Sequence, residues 1–241
     1  MAAVPANAYE AAVWAAGQAM AYAKEKTPFL ALRAAVLAAP RRPNSFVDRL
    51  RASADVAVLS RQMVGEGGGG GTPAAAAAAA AGAVGVVVTS GAAADITRAR
   101  VAADAGVSPS ADGGDSGGGG GVVLAADLVP GGYAVWAARL AGADAVVVPA
   151  AVFGGDDLRY LIKAVAVGGA VAVVEVHDVE QAAVVRDLWE GGVPVGGVLL
   201  CARDLDTLEG GAYRAGGGVV LADPAGEDWA AVAPLLDAVI V

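Results

Sequence analysis

From about position 56 onward the chain alternates short apolar runs with longer stretches of helical spacing. The runs are Val56–Leu59, Val84–Val88, Val122–Leu124, Ala143–Val148, Val171–Val176, Val195–Leu200, Val219–Ala222 and Ala238–Val241. They are rich in valine and bounded by glycine, proline or polar residues, as expected of strands buried on both faces. Between them, Ala92–Ala105, Tyr133–Ala141, Asp156–Val167, Asp178–Trp189 and Glu227–Leu236 read as helices, and Thr72-Pro73 opens an alanine helix to Ala81. Strand, helix, strand repeated along a chain builds a parallel sheet, and eight repeats make a (β/α)8 barrel of the α/β class. Two places fall short of the full pattern. Gly210–Gly218 is too short for a crossover helix after the sixth strand, and the sequence stops at Val241 without an eighth helix. The expected barrel is therefore incomplete at helix six and after strand eight.

Three helices are predicted ahead of the first strand. Asn7 caps one through about Lys26, with Tyr9, Val13, Ala16 and Met20 along a stripe and Trp14 beside it. Pro28 opens a second to Ala39, and Ser45–Ala52 forms a short third after the break at PRRPN. The organisation is thus an N-terminal helical extension over residues 1–53 and a barrel over residues 54–241.

Composition narrows the function. With 56% hydrophobic residues but 5% aromatic, the core must be built from small side chains. A net charge of −9 argues against nucleic acid or anionic lipid as a main partner, since both select clustered Lys and Arg. No stretch of about 18 residues is free of Gly, Pro and charge, so no membrane span is expected. No secretory or transit signal is legible at the N-terminus. The single Cys201 excludes an intramolecular disulfide and a cysteine metal cluster. The glycine runs at 67–71 and 117–121 lack the following Lys of a phosphate-binding loop and read as flexible insertions.

Polar residues gather where the apolar runs end, the edge at which barrels keep their sites. Glu175 and His177 follow the fifth run, Cys201, Arg203 and Asp204 the sixth, Asp127 the third and Asp223 the seventh. Glu175 reads as a possible base or a structural carboxylate, His177 as a cap or surface residue, and Cys201 as a buried small residue. Arg203 with Asp204 reads as fixing the loop after strand six, through an ion pair or backbone hydrogen bonds. Asp127, Asp223 and Glu175 offer three oxygens to a hard cation. Trp14, Trp136, Trp189 and Trp229 sit at helical positions suited to packing or to an interface.

Three stretches in this order resemble indole-3-glycerol phosphate synthase. Val174-Glu175-Val176-His177-Asp178 is similar to the family's LVEVHDEEE. Leu200-Cys201-Ala202-Arg203-Asp204-Leu205-Asp206-Thr207-Leu208-Glu209 is similar to INARDLxTLE. Val123-Leu124-Ala125-Ala126-Asp127-Leu128, with Tyr133 and Ala138 through Ala145, follows VLRKDFxxxxYQxxEARxxGADAVLL. Leu30–Arg51 also looks like the family's N-terminal LxxLRAxxxAAPxxxxFxxALR, so the resemblance spans roughly residues 27–241.

The same comparison shows losses. The family's first strand ends E-x-K-R-x-S-P-S, and its Glu and Lys fall on Val58 and Ser60. The strand-three lysine that the family uses as general acid falls on Ala126, which transfers no proton. The asparagine of the strand-six motif is Cys201, and A-E-S-G-I at strand seven becomes Ala222-Asp223-Pro224-Ala225-Gly226, where Pro224 has no N–H. The glycine-serine phosphate loop after strand eight has no counterpart before Val241. Glu175 is the family active-site position that survives, as a relic; Arg203 and Asp223 remain as ligand or structural positions.

The resemblance with these losses implies a catalytically inactive barrel retained as a structural or accessory subunit. Protein partners are expected at the N-terminal helix and at the uncovered end of the barrel. No cofactor and no metal are expected, because the family uses none. The alternatives are an active synthase with displaced catalytic groups or a truncated sequence, and a small-molecule sensor. Lys163, on a helix, is poorly placed to replace a lost lysine. The family's pathway in plants and algae implies a plastid, with the cytoplasm as the alternative.

Overall fold

The apolar runs form strands because each is buried from both sides, and the computed structural model closes them into one ring. It describes residues 8–39, 46–52, 57–62, 83–89, 92–106, 121–127, 130–201, 218–222 and 236–240. The strands are β1 (Ala57–Gln62), β2 (Gly85–Val88), β3 (Val122–Ala125), β4 (Ala145–Pro149), β5 (Val171–Val176), β6 (Val195–Leu200), β7 (Val219–Ala222) and β8 (Ala238–Ile240). Each pairs in parallel with its sequence neighbours, and β8 returns to β1, so the sheet is a closed barrel. The eight-strand expectation holds.

Alternation along each strand sorts residues between the barrel interior and the helical layer. Leu59, Val87, Leu124, Val147, Val173, Leu199, Leu221 and Ile240 fill the interior. The intervening Val86, Val123, Val146, Val174, Val198 and Val220 pack outward with helix residues. Inside, a large residue on each odd strand stands beside a small one on the next even strand. Leu59 pairs with Gly85, Leu124 with Ala145, Val173 with Gly197 and Leu221 with Ala238. This four-fold alternation is how such barrels fill their centre. It lets a core so poor in aromatics fill with small and branched side chains. A methyl on Gly85 would lie 2.5 Å from the Val122 carbonyl oxygen and 3.0 Å from Leu59, so that position accepts hydrogen alone.

The described helices are α1 (Ala8–Lys26), α2 (Phe29–Ala38), α3 (Phe46–Arg51), α4 (Ala93–Gly106), α5 (Gly132–Leu140), α6 (Gly155–Val167) and α7 (Val179–Glu190). The last four bury stripes at helical spacing, for example Leu158, Leu161, Ile162 and Val165 of α6. The short helix α3 closes the floor: Phe46 and Leu50 are buried among the interior residues, and Arg51 Nη2 donates to the Gly218 carbonyl at 2.6 Å. On α1 the predicted stripe is real, with Val13, Ala16 and Met20 half-buried and Trp14 exposed beside them. It is fastened to the barrel layer by the Tyr133 hydroxyl, which lies 3.0 Å from the carbonyls of both Ala23 and Thr27.

Two aspartates tie neighbouring strands together. Asp144, just before β4, accepts from Val123 N at 2.9 Å and from Arg100 Nη1 at 2.6 Å, both at Oδ2. Arg100 is buried on α4 and also donates to Asp104 and to the Gly121 carbonyl. Asp237, just before β8, accepts from Val220 N at 2.9 Å, while its own carbonyl accepts from Ala57 N at 2.9 Å. Asp237 therefore joins β7, β8 and β1 at the point where the ring closes.

Several boundaries differ from expectation, for physical reasons. Strand β1 runs on to Gln62 because Arg61 and Gln62 pair with Val87 and Val88, so ladder hydrogen bonds carry it past its apolar part. Strand β4 starts at Ala145, since Ala143 N bonds back to the Ala138 carbonyl and finishes the helix before it. Pro28 is the N-cap of α2 and stays outside the helix. Leu236 precedes β8 and is not helical. The expected helices at 72–81 and 227–235, both glycine runs except Gly121, and the short crossover at 210–217 lie outside the described residues.

Candidate functional site

The carboxyl ends of β5 and β6 carry the polar chemistry of the described mouth. Along β5, Val171 and Val173 belong to the interior set and Val174 and Val176 to the outward one. The same alternation turns Glu175 inward, half-buried, and His177 after it. His177 is exposed, and its Nε2 lies 2.6 Å from Glu175 Oε1. In the next strand, Val176 pairs with Leu200, and Cys201 N donates to the Val176 carbonyl at 3.1 Å. Cys201 thus comes beside His177, half-buried and packed on the interior residues. One ligand atom from each of Glu175, His177 and Cys201 lies within 4.8 Å of the other two.

The backbone beneath His177 is fixed by the start of α7. Asp178 is the N-cap, its Oδ1 accepting from Gln181 N at 2.7 Å. Gln181 Oε1 reaches back to accept from His177 N at 2.9 Å, and its Nε2 donates to Asp178 Oδ2 at 2.7 Å. This is the reciprocal arrangement of a capping box, shifted by one residue so that the N–H it satisfies belongs to His177. The local sequence Asp178-Val179-Glu180-Gln181 encodes it.

Glu175 stands at the mouth, as its reading requires. His177 was read as a cap or surface residue; it is exposed, while the capping side chain is that of Asp178. Cys201, expected as a buried small residue, is half-buried, and the ladder sets it beside Glu175 and His177. The signal that would have found this trio is the equal length of VAVVEV and VGGVLL, which end in register. Ala126 is half-buried at the end of β3 against the interior set, where the resemblance puts a lysine. Val58 and Ser60 pair with Val239 and Val86 on β1, alternating with the interior Ala57 and Leu59; their side chains are outside the described ones. Arg203, Asp204, Asp223, Pro224 and Trp229 also lie outside.

Asp127 stands just after β3. It lines a cavity of about 550 Å³ beneath α1, together with Ala16, Met20, Ile96 and Tyr133. The chain's three lysines, Lys24, Lys26 and Lys163, all sit on helices, the last exposed on α6. Trp136 is buried edge-on to Phe29 at 5.9 Å, Trp189 is partly buried, and Trp14 is exposed. No helix among the described residues is long and apolar enough to cross a membrane.

Solved structures support the architecture. A citrate synthase variant matches with TM-score 0.56 at 14% identity, over 82% of this chain and 90% of that one. A lyase/mutase from Burkholderia cenocepacia matches at 0.55 and 15%, over 80% and 78%. The tryptophan synthase complex of Pyrococcus furiosus supplies a chain matching at 0.53 and 12%, over 78% and 86%. At these identities the likeness is one of fold: this chain is a TIM-type barrel like theirs. No family model matches the sequence.

Proposed function

We propose that this chain is a catalytically silent barrel of the indole-3-glycerol phosphate synthase type, serving as an accessory subunit in a protein assembly. The observation that carries the reading is the distribution of lysine. The synthase reaction needs ammonium acids in the mouth, and all three lysines of this chain are on helices while Ala126 fills the strand-three position. Removing a positioned general acid costs about 10²–10⁴ in rate. Glu175 alone replaces neither lysine, and its carboxylate is engaged by His177.

The partner surface in this reading is the N-terminal pair of helices. Trp14 is 51% exposed and Leu30 74% exposed, and Tyr22, Phe29 and Leu37 are exposed on the same two helices. Aromatic and aliphatic residues of this size are typical anchors of protein interfaces. The occupant is a protein with a complementary apolar face.

The test has two arms. The full chain is incubated with the carboxyphenylamino deoxyribulose phosphate and the indole product is followed by fluorescence. No rate above the protein-free control is expected; turnover of about 1 s⁻¹ or faster, within the ordinary enzyme range, overturns the silent reading. In the second arm the tagged chain is purified from its source. The Trp14→Ser, Leu30→Ser double variant is expected to keep its Tm and lose its co-purifying subunit; retention of that subunit refutes the surface.

A further inference from the structure

We infer that Glu175, His177 and Cys201 form a binding site for one divalent transition-metal ion of the zinc class. Carboxylate, imidazole and thiol are the three side chains that bind zinc, and a thiolate donor disfavours magnesium and calcium. Glu175 and His177 together explain a hydrogen bond; the thiol converging from the adjacent strand adds the third donor. The inference does not depend on the silent reading above, since an inert barrel can hold an ion.

Geometry favours it. With zinc–ligand distances of about 2.0–2.3 Å and tetrahedral angles, the oxygen and nitrogen should stand about 3.4 Å apart and the sulfur about 3.6 Å from each. The present oxygen–nitrogen separation is 2.6 Å, and no pair exceeds 4.8 Å. An ion would part the first two by about 0.8 Å and draw the thiolate in by at most about 1.2 Å, movements that side-chain torsions supply.

The backbone carriers are already fixed. Glu175 is held in the ladder between Pro149 and Leu199, Cys201 by its bond to the Val176 carbonyl, and His177 by Gln181. His177 is exposed, so an ion can reach the three donors from solvent. Among the described residues three ligands converge, the number that catalytic zinc sites draw from protein. The chelate spans two adjacent strands and needs no movement of the barrel.

The experiment uses the full chain stripped with a chelator and titrated with zinc chloride by calorimetry, and with cobalt(II) by absorption. One ion per chain is expected, with a thiolate-to-cobalt charge-transfer band that is absent in Cys201→Ser. His177→Ala and Glu175→Gln should each weaken zinc by more than the roughly 10–100-fold that losing a metal's outer-shell partner costs. Because Cys201 is the chain's single thiol, zinc should also slow its alkylation by iodoacetamide in the unmutated protein, a readout that needs no variant to fold. Absence of stoichiometric binding overturns the proposal. So does binding of unchanged affinity in Cys201→Ser, or an alkylation rate indifferent to zinc.

Discussion

Replacing Asp144 with alanine removes a carboxylate oxygen shared by a backbone N–H and a guanidinium. Oδ2 accepts from buried Val123 N and from Arg100, whose side chain is 7% exposed and cannot rehydrate where it lies. A hydrogen bond to a charged group contributes about 1.5–3 kcal/mol net, and leaving the Val123 N–H unpaired costs about 1–3 kcal/mol. The two overlap at one site, and Arg100 keeps Asp104 and the Gly121 carbonyl. The expected loss is therefore about 3 kcal/mol, at the lower end of what breaking a buried pair costs. Asp104→Ala serves as the control, because its side chain is 47% exposed; an exposed pair contributes about 0–1 kcal/mol. With a urea slope of about 3 kcal/mol/M, Asp144→Ala should lower the unfolding midpoint by about 1 M and Asp104→Ala by less than about 0.3 M. Asp144→Asn should fall between them, since its amide oxygen still accepts from Val123. Equal midpoints for the two alanine variants would refute the assignment of Asp144 as the keystone of this network.

Two further variants test the packing and the cap. Gly85→Ala forces a methyl against the Val122 backbone and should lower stability by about 1–3 kcal/mol, the usual cost of overpacking, read as a fall in Tm. Gly192→Ala is its control: no atom crowds that glycine, but its φ of +75° adds backbone strain, so its loss should exceed that of a neutral surface change and still leave β2–β3 amide protection intact. Asp178→Ala removes the α7 cap at a cost of about 1 kcal/mol; by freeing Gln181 it should also raise amide exchange at His177, measurable by hydrogen-exchange mass spectrometry.

The ring of eight strands was legible because strands buried on both faces are written as continuous valine runs, whose length and glycine borders survive without neighbours. What misled at the edges was polarity. Ser60, Arg61 and Gln62 look like loop, yet the sheet claims them, because backbone pairing is indifferent to side-chain character. The site was half legible. Glu175 could be placed by counting along one strand, whereas the trio depends on register between two, and a histidine and a cysteine 24 positions apart meet only once β5 and β6 are aligned. Asp144 carried no signal at all beyond its place in a motif; its work is to satisfy Val123 and Arg100, partners that sequence distance conceals.

The barrel is sealed by a pairing that is nearly its longest in sequence. Ala57 meets Ala238 about 180 residues later, over a ladder of three pairs clasped by Asp237, and looping out that much chain carries an entropy cost that grows as about (3/2)RT ln n. A closure at this sequence separation carries a larger loop-closing cost than any pairing of consecutive strands. The meeting of the first and last strands lies three strands around the ring from the junction of β5 and β6, where the proposed donors stand, so the closure of the wall and the site are built on different ladders.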